Sequence, residues 1–346
     1  MEEIKSQQKE LNIIIIGMGE DFKNFYIKNM YKIKEIYPKI KYHIIEKDFI
    51  EEIKKLKGKI FHIACVARFV AQYLSLLLQA CPTIKWLHAL AAGIEDFVKV
   101  EELMKNDEIL FSNSKGVNSE ILAENGISCM MYFSYHFFSY TQYMQNKEWI
   151  KPMNKMIGNK TLLIYGYGNN GICLAKKCKL GFNMKIIGVK RTVNNNVPGK
   201  EYTDELYTFK DLPDDAIKRA NYIYATLPSN SETNNIFNKN FFNKMNKDAI
   251  FINVGRGSNV DEDDIAEALE KNIIGGAVLD VCKTEPLNKD SKLYKISPNK
   301  LLITNHSLCQ VEERIDNFFK CFLENFKSYI NNGKLVTFVD KKKECY

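Results

Sequence analysis

Residues 161–192 read TLLIYGYGNNGICLAKKCKLGFNMKIIGVKRT, and this stretch decides the fold. An apolar run is followed by three glycines in the spacing G-x-G-x-x-G, then by a helix-like segment and a second apolar run. In such a strand–turn–helix unit the glycines allow a tight turn, close approach of the backbone to a pyrophosphate, and close packing of the helix. The helix N-terminus then faces the phosphates. The residues predicted to hold a dinucleotide here are Gly166, Gly168, Asn169, Asn170 and Gly171.

The end of the second apolar run carries cations where NAD-binding proteins carry an acid. In NAD enzymes an Asp or Glu at this point accepts hydrogen bonds from the ribose hydroxyls. Here the segment GVKRT supplies Lys190, Arg191 and Thr192. Arginine can make paired hydrogen bonds to a phosphate, and lysine adds a point charge. We therefore expect NADP(H) as the preferred cofactor, with NAD(H) possible. The alternative is that these are exposed loop residues of a lysine-rich protein.

From residue 161 onward, strand-like and helix-like segments alternate. The predicted strands are TLLIYG, MKIIGVK, ANYIYATLP, AIFINVG, GGAVLDV and KLLITNH. Six strands in this order predict a complete doubly wound dinucleotide fold. We place this Rossmann domain at residues 117–307.

The first third of the chain alternates in the same way, which predicts a second parallel sheet covered by helices. The segment 117–149 has the pattern of one long helix, and the helical segment 311–333 leads back to the first domain. The predicted fold class is α/β: two doubly wound parallel-sheet domains, with the Rossmann domain inserted into a flavodoxin-like substrate domain. That substrate domain is discontinuous and comprises residues 1–116 and 308–346.

Composition excludes several classes of protein. Of 346 residues 45% are hydrophobic, and no apolar run is long enough to span a membrane. The net charge of +7 is spread along the chain without a basic block, so we expect no nucleic-acid partner. Nine scattered cysteines give neither a disulfide framework nor metal-ligand spacing, so we expect reduced thiols and no metal. No signal or transit peptide is visible before the strand-like run NIIIIG, so we expect a cytoplasmic location.

Three further residues follow predicted strands and could carry chemistry: Arg256, Glu285 and His306. Taken singly, each has a simpler explanation: a surface arginine in a turn, an acid before a proline, or a loop histidine. Ligands of open α/β sheets collect at the carboxyl ends of the strands, however, and all three residues belong to that edge.

The motifs NVGRGSNVDEDDIAEAL, GGAVLDVCKTEPL and TNH, following GYGNNG in this order, resemble the D-isomer-specific 2-hydroxyacid dehydrogenases. The resemblance extends to WLHALAAGIEDF, which is similar to the substrate-loop segment of that family, and to LPSNSETNNIFN. It implies transfer of a hydride between NADP(H) or NAD(H) and a small 2-oxo acid or D-2-hydroxy acid. The ending FVDKKKECY is similar to glyoxylate/hydroxypyruvate reductases in particular.

By this resemblance Arg256 binds the carboxylate and carbonyl of the substrate, His306 delivers a proton to the carbonyl oxygen, and Glu285 pairs with His306. The physics agrees, because a guanidinium and an imidazolium both act where negative charge develops. The resemblance also implies that the backbone at Ala92 and Gly93 holds the substrate carboxylate. The further cofactor contacts that it implies are Leu227, Pro228, Val254, Gly255 and Asp280.

One position departs from the family pattern: Asn305 precedes His306 where the family usually has proline. We therefore expect a less rigid loop around the imidazole. Glu285 argues against formate dehydrogenases, which have glutamine there. Phosphoglycerate dehydrogenase and a non-enzymatic, dinucleotide-sensing scaffold like the corepressors of this fold remain alternatives. Family members are typically dimers, so we expect a homodimer joined through the cofactor domain.

Overall fold

The computed structural model describes residues 10–17, 19–194 and 196–342; the end of FVDKKKECY, with Cys345, lies outside them. The chain divides into two compact units. One ends at Val117 and resumes at Glu312, and we call it the flanking unit. The other spans Asn118–Val311, and we call it the inserted unit.

The flanking unit is built on a five-stranded parallel sheet. Its strands are β1 (Leu11–Ile16), β2 (Ile40–Ile45), β3 (Ile63–Val66), β4 (Trp86–Ala89) and β5 (Leu110–Asn113), in the order β2-β1-β3-β4-β5. This is the flavodoxin-like order. The central strand β3 is apolar and buried at every position, because helices cover both faces of the sheet.

The helices of the flanking unit bury apolar stripes against this sheet. They are α1 (Glu20–Ile36), α2 (Phe49–Lys54), α3 (Leu74–Ala80), α4 (Glu101–Met104) and, after the inserted unit, α11 (Arg314–Asn332). Phe318, Phe322 and Phe326 of α11 are buried at helical spacing, and Phe322 stacks on Trp86 with ring centroids 5.5 Å apart. A 3₁₀ turn, Arg68–Tyr73, precedes α3.

The inserted unit contains a seven-stranded parallel sheet. Its strands are β6 (Thr161–Tyr165), β7 (Lys185–Lys190), β8 (Glu205–Thr208), β9 (Tyr222–Ala225), β10 (Ile250–Asn253), β11 (Gly276–Leu279) and β12 (Leu301–Ile303). They are arranged β12-β11-β10-β9-β6-β7-β8, the doubly wound order with one extra strand. The predicted fold class, two parallel-sheet α/β domains, is confirmed.

One of these strands, β8, is missing from the six predicted above. Its sequence, ELYT, is short and half-buried at every position, as suits the edge of the sheet. A polar edge strand lacks the continuous apolar run that marks the buried strands.

The single long helix predicted over 117–149 is wrong. The structure has α5 (Ser119–Ser134) and α6 (Phe137–Asn146), separated by His136, whose φ of 53° lies in the left-handed region. That conformation ends a helix. The other helices of the inserted unit are α7 (Asn169–Phe182), α8 (Asp214–Arg219), α9 (Lys239–Phe242) and α10 (Glu262–Glu270). None of the helices described has an apolar stretch long enough to cross a bilayer.

Candidate active site

The glycine-rich turn between β6 and α7 assigns a different steric role to each glycine. Gly166 has a φ of 99°, and a Cβ there would lie 2.8 Å from the carbonyl oxygen of Thr226. A Cβ on Gly171 would lie 2.5 Å from the oxygen of Gly166, so this glycine permits α7 to pack on the strand. At Gly168 a Cβ would meet nothing within 4 Å. The open space beside Gly168 fits a group that approaches the backbone.

The first turn of α7 begins directly after Gly168 and its open space. Gly168 precedes the helix in an extended conformation, and no side chain caps the helix there. The first backbone N–H groups of a helix have no partner within the helix and attract anions. Asn170 is fixed behind the turn, because its Nδ2 donates to Thr226 Oγ1 at 3.1 Å and its Oδ1 accepts from Ser119 Oγ at 2.7 Å. Asn169 is exposed at the start of the helix. These residues fit the diphosphate of a dinucleotide.

Lys190 ends β7 half-buried, and Arg191 and Thr192 follow it as exposed residues. Their neighbour is β8, in which Thr208 pairs with Lys190. Lys210 follows β8 by two residues and is exposed at the same edge. The sequence interpretation missed this third cation because it missed β8.

The loops after β9 and β10 pack closely and are joined by a hydrogen bond. Leu227 and Val254 are buried, and a Cβ on Gly255 would lie 2.6 Å from the backbone N of Leu227. Asn259, fully buried, donates from Nδ2 to the carbonyl oxygen of Pro228 at 3.0 Å. The predicted cofactor contacts of these two loops therefore form one surface.

Arg256 is held in a turn organised by Asn253. Asn253 Oδ1 accepts from the N–H of Gly255 at 3.0 Å, and its Nδ2 donates to the carbonyl oxygen of Arg256 at 3.0 Å. Arg256 Nη1 donates to the oxygen of Gly255 at 2.8 Å, and the side chain is half-buried. The guanidinium is thus fixed at the carboxyl end of β10.

Gly257 packs this arginine turn directly on the loop that carries Glu285. A Cβ on Gly257 would lie 1.9 Å from the carbonyl carbon of Cys282, so only glycine fits. Glu285 Oε1 in turn accepts from the N–H of Cys282 at 3.1 Å. Burial, and after it the nearby carboxylates led by Glu262, raises the pKa of the Cys282 thiol to about 12. Cys282 is therefore a protonated packing residue.

His306 and Glu285 form a direct pair. His306 Nδ1 lies 2.8 Å from Glu285 Oε2, and both side chains are partly exposed, at 38% and 40%. A carboxylate at this distance accepts a hydrogen bond from Nδ1–H and orients the imidazole. The pair places a candidate proton donor at the end of β12, beside the loop of the neighbouring strand β11.

Asp280, at the end of β11, is 3% exposed and holds the His306 loop. Its Oδ1 accepts from Thr304 Oγ1 at 2.7 Å, from the N–H of Ser307 at 3.0 Å and from the N–H of Leu308 at 3.2 Å. The predicted contact between Asp280 and the cofactor stays a prediction. The structure gives this carboxylate a second task, as the anchor of the loop.

The order of the strands places these loops along one edge of the sheet. His306 follows β12, Asp280 and Glu285 follow β11, and Arg256 follows β10. The glycine turn follows β6, and the cations follow β7 and β8, farther along the same edge. Since strands lie about 4.8 Å apart, the arginine turn and the glycine turn are separated by about 10 Å. The edge can hold an extended dinucleotide with acid–base groups at one end.

In the flanking unit, the segment after β4 presents two backbone donors. The carbonyl oxygen of Ala91 accepts from the N–H of Ser114 at 2.9 Å, and that of Ala92 accepts from Asn113 Nδ2 at 2.7 Å. In a trans peptide the N–H points opposite to the C=O. The N–H groups of Ala92 and Gly93 therefore point away from β5, and within residues 10–17, 19–194 and 196–342 they donate to no group. Successive free N–H groups of this kind bind anions.

A buried polar network lies under this segment. His88 of β4 is fully buried, with Nδ1 2.8 Å from Ser112 Oγ and Nε2 3.2 Å from Ser114 Oγ. Burial lowers the pKa of His88 to about 3, so the imidazole is neutral. Ser114 Oγ also donates to the carbonyl oxygen of Ala89 at 2.9 Å, which ties the network to the start of the segment.

Several residues that build the site were not singled out from the sequence: Asn113, Asn253, Gly257 and Thr304. The two asparagines and the threonine act through side-chain hydrogen bonds that hold loops, for which residue spacing gives no signal. Gly257 is the exception, because a second glycine one residue after a strand-end arginine signals close backbone approach. Among the residues that the structure describes, no group of His, Cys, Asp or Glu could hold a metal ion.

Comparison with known proteins places this geometry in a family. Residues 127–307 match the model described as "D-isomer specific 2-hydroxyacid dehydrogenase, NAD binding domain". The chain is 30% identical over 310 residues to a protein named Probable 2-ketogluconate reductase from Dictyostelium discoideum, covering 88% of this chain and 87% of the relative. It is also 30% identical over 226 residues to Glyoxylate/hydroxypyruvate reductase B of Enterobacter sp. (strain 638), covering 64% and 68%.

The fold has the same relatives. An NADPH-dependent glyoxylate/hydroxypyruvate reductase from Sinorhizobium meliloti, solved in complex with NADP and sulfate, superposes with a TM-score of 0.78. The alignment covers 97% of this chain and 100% of that chain at 21% identity. At this identity the likeness concerns the fold.

Proposed function

The chain belongs to the D-isomer specific 2-hydroxyacid dehydrogenase family, and from that premise we propose that it reduces glyoxylate and hydroxypyruvate with NADPH. It is an NAD(P)-dependent oxidoreductase of 2-oxo acids. The observation that carries the proposal is the pairing of His306 with Glu285 next to the fixed Arg256 turn, on the edge that also carries the glycine turn.

Each residue of the site has a defined task in this reaction. The bound nicotinamide supplies the hydride. Arg256 binds the substrate and stabilises the negative charge that develops on the carbonyl oxygen. His306 delivers the proton to that oxygen, and Glu285 orients the imidazole. In the flanking unit, the N–H groups of Ala92 and Gly93 offer two donors to an anion such as a carboxylate.

The preference for NADPH is supported by the charge at the ends of β7 and β8. No acid stands at the end of β7 to accept hydrogen bonds from the ribose, and Lys190, Arg191 and Thr192 occupy that place. Lys210 adds a positive charge from the neighbouring strand end. The relative from Sinorhizobium meliloti, which is described as NADPH-dependent, was solved with NADP bound.

A substrate and cofactor panel tests the proposal. We expect kcat/KM for glyoxylate and hydroxypyruvate to exceed that for pyruvate, 2-ketogluconate and 3-phosphohydroxypyruvate, each assayed with NADPH and NADH. The 2-ketogluconate arm is included because of the relative from Dictyostelium discoideum. A preference for 3-phosphohydroxypyruvate would instead make the enzyme a phosphoglycerate dehydrogenase.

We also infer that two copies associate through the inserted unit. Helix α6 has no buried residue, and the segment after it exposes Trp149 (92%), Met153 (87%) and Met156 (68%). Large exposed apolar patches mark protein interfaces. Light scattering should give the mass of a dimer for the wild type and of a monomer for the double variant Trp149→Ser, Met153→Ser.

The cytoplasmic location stays a prediction, which cell fractionation would test.

A further inference from the structure

The backbone that presents His306 is left-handed at two successive residues. The φ angles of Asn305 and His306 are 53° and 55°. Non-glycine residues rarely adopt this region, and asparagine and histidine are among those that tolerate it best. Proline cannot adopt it, because its ring fixes φ at about −65°.

The left-handed pair spans a short gap between two fixed points. On one side, the N–H of Thr304 donates to the carbonyl oxygen of Leu279 at 3.1 Å, and its hydroxyl donates to Asp280. On the other side, the N–H of Ser307 donates to the same Asp280 carboxylate at 3.0 Å. The N–H of His306 itself donates to the carbonyl oxygen of Asp280. With both ends held, the direction of the imidazole depends on the φ angles between them.

We propose that Asn305 is a positioning residue for His306: its left-handed backbone, anchored on Asp280, turns the imidazole toward Glu285. The inference rests on the proposed role of His306 as proton donor. It reverses the expectation that asparagine loosens this loop. A proline at this position, although usual in the family that the chain resembles, would misdirect the imidazole here.

The N–H of Asn305 donates to no group in the described part of the chain. Substitution by proline therefore removes no backbone hydrogen bond; it removes the side chain, fixes φ at about −65° and restricts the backbone of Thr304. Substitution by glycine keeps the left-handed region accessible while it removes the side chain and makes the backbone more flexible. The two variants separate backbone conformation from side-chain chemistry.

The test compares Asn305→Pro and Asn305→Gly in the full chain, with the 2-oxo acid that the wild type reduces best. We expect Asn305→Gly to keep kcat within about threefold of wild type. We expect Asn305→Pro to lower kcat about tenfold or more while KM and cofactor affinity stay within about threefold. Its solvent deuterium isotope effect on kcat should rise, because proton delivery becomes the slow step.

Asn272→Pro is the control for a proline at a left-handed position, although it also removes the hydrogen bond from the N–H of Asn272 to the carbonyl oxygen of Leu269 at 3.3 Å. Asn272 also has a left-handed φ, of 56°, but precedes β11 at the opposite edge of the sheet. This control should lower the melting temperature and leave the isotope effect unchanged. If Asn305→Pro does not fold, Thr304→Val replaces it, with Thr304→Ser as the variant that restores the hydroxyl. Thr304→Val should raise the isotope effect, and Thr304→Ser should return it to the wild-type value.

Two results would overturn the proposal: a wild-type isotope effect in Asn305→Pro or in its folded substitute Thr304→Val, or an Asn305→Gly variant as slow as Asn305→Pro. Wild-type turnover in His306→Gln would be a different failure, since it would remove the assigned role of His306 itself.

Discussion

The imidazole of His306 is engaged by Glu285 through Nδ1, at 2.8 Å from Oε2, while the other carboxylate oxygen accepts from the N–H of Cys282 at 3.1 Å. The carboxylate is therefore fixed from two sides. Because Nδ1 is occupied, Nε2 is the nitrogen that can deliver a proton.

Replacing His306 tests this assignment. We expect His306→Gln to lower kcat about a hundredfold, since the proton donor is lost, and to leave cofactor affinity unchanged. Steady-state kinetics and fluorescence titration of the cofactor measure the two effects. His136→Gln, at the break between α5 and α6, serves as control. Turnover of His306→Gln within a few-fold of wild type would exclude the role.

The proposed role of Arg256, at the end of β10, requires a planar guanidinium group. We expect Arg256→Lys to lower kcat/KM about a hundredfold, because lysine keeps the charge but cannot make paired hydrogen bonds to carboxylate and carbonyl. The circular dichroism spectrum and melting temperature should match those of wild type. Unchanged kcat and KM would reduce Arg256 to a turn residue.

Cofactor preference depends on the cations after β7. We expect Arg191→Ala to lower the ratio of kcat/KM for NADPH to that for NADH at least about tenfold, since a charge-assisted hydrogen bond contributes about 1.5–3 kcal/mol. Lys247→Ala, an exposed lysine that precedes β10, should leave the ratio unchanged. Equal use of both cofactors by the wild type would contradict the assignment.

The glycine turn allows a prediction with a built-in contrast. Gly168→Ala should keep the wild-type melting temperature, because its Cβ meets nothing within 4 Å, and should weaken NADPH binding at least about tenfold. Gly171→Ala should lower the melting temperature, because its Cβ would lie 2.5 Å from the carbonyl oxygen of Gly166. Thermal unfolding and cofactor titration of both variants check this. Full NADPH affinity in Gly168→Ala would show that the open space holds no phosphate.

Stability of the flanking unit should depend on pH through His88. Its pKa is lowered from 6.5 to about 3, so between these values the unfolded chain binds a proton that the folded unit does not. The free energy of unfolding therefore falls as pH falls below about 6.5, by about 1.4 kcal/mol per pH unit for this one group.

Urea unfolding between pH 7.5 and pH 5 measures the slope. His88→Gln should lower the slope of the free energy of unfolding against pH by the amount that corresponds to one proton, even if this variant is less stable overall. An unchanged slope in His88→Gln would mean that His88 titrates normally in the folded unit.

The sequence predicted those features that depend on local sterics or on continuous apolar runs. The G-x-G-x-x-G turn was recognisable because each glycine answers a steric demand that recurs wherever a strand meets a phosphate-binding helix. The buried strands were recognisable because both of their faces are apolar. Strand β8 was not predicted because its sequence, which includes Glu205 and Thr208, shows neither a continuous apolar run nor an alternation of apolar and polar residues.

The features that the sequence did not predict depend on contacts between residues that are distant in the chain. The contact of His306 with Glu285 requires β11 and β12 to be neighbours, which residue spacing does not state. The left-handed φ of Asn305 depends on how Asp280 holds both ends of the loop. The break at His136 was hidden because α5 and α6 each have a helical pattern that runs up to it.

The contact of Gly257 with Cys282 has a consequence for protein engineering. A Cβ at Gly257 would lie 1.9 Å from the carbonyl carbon of Cys282, so the arginine turn and the glutamate loop have complementary backbones. A chimera that imports residues 254–259 from a relative should import residues 281–286 with them. Grafting either segment alone would separate Arg256 from Glu285 and give a folded chimera without activity.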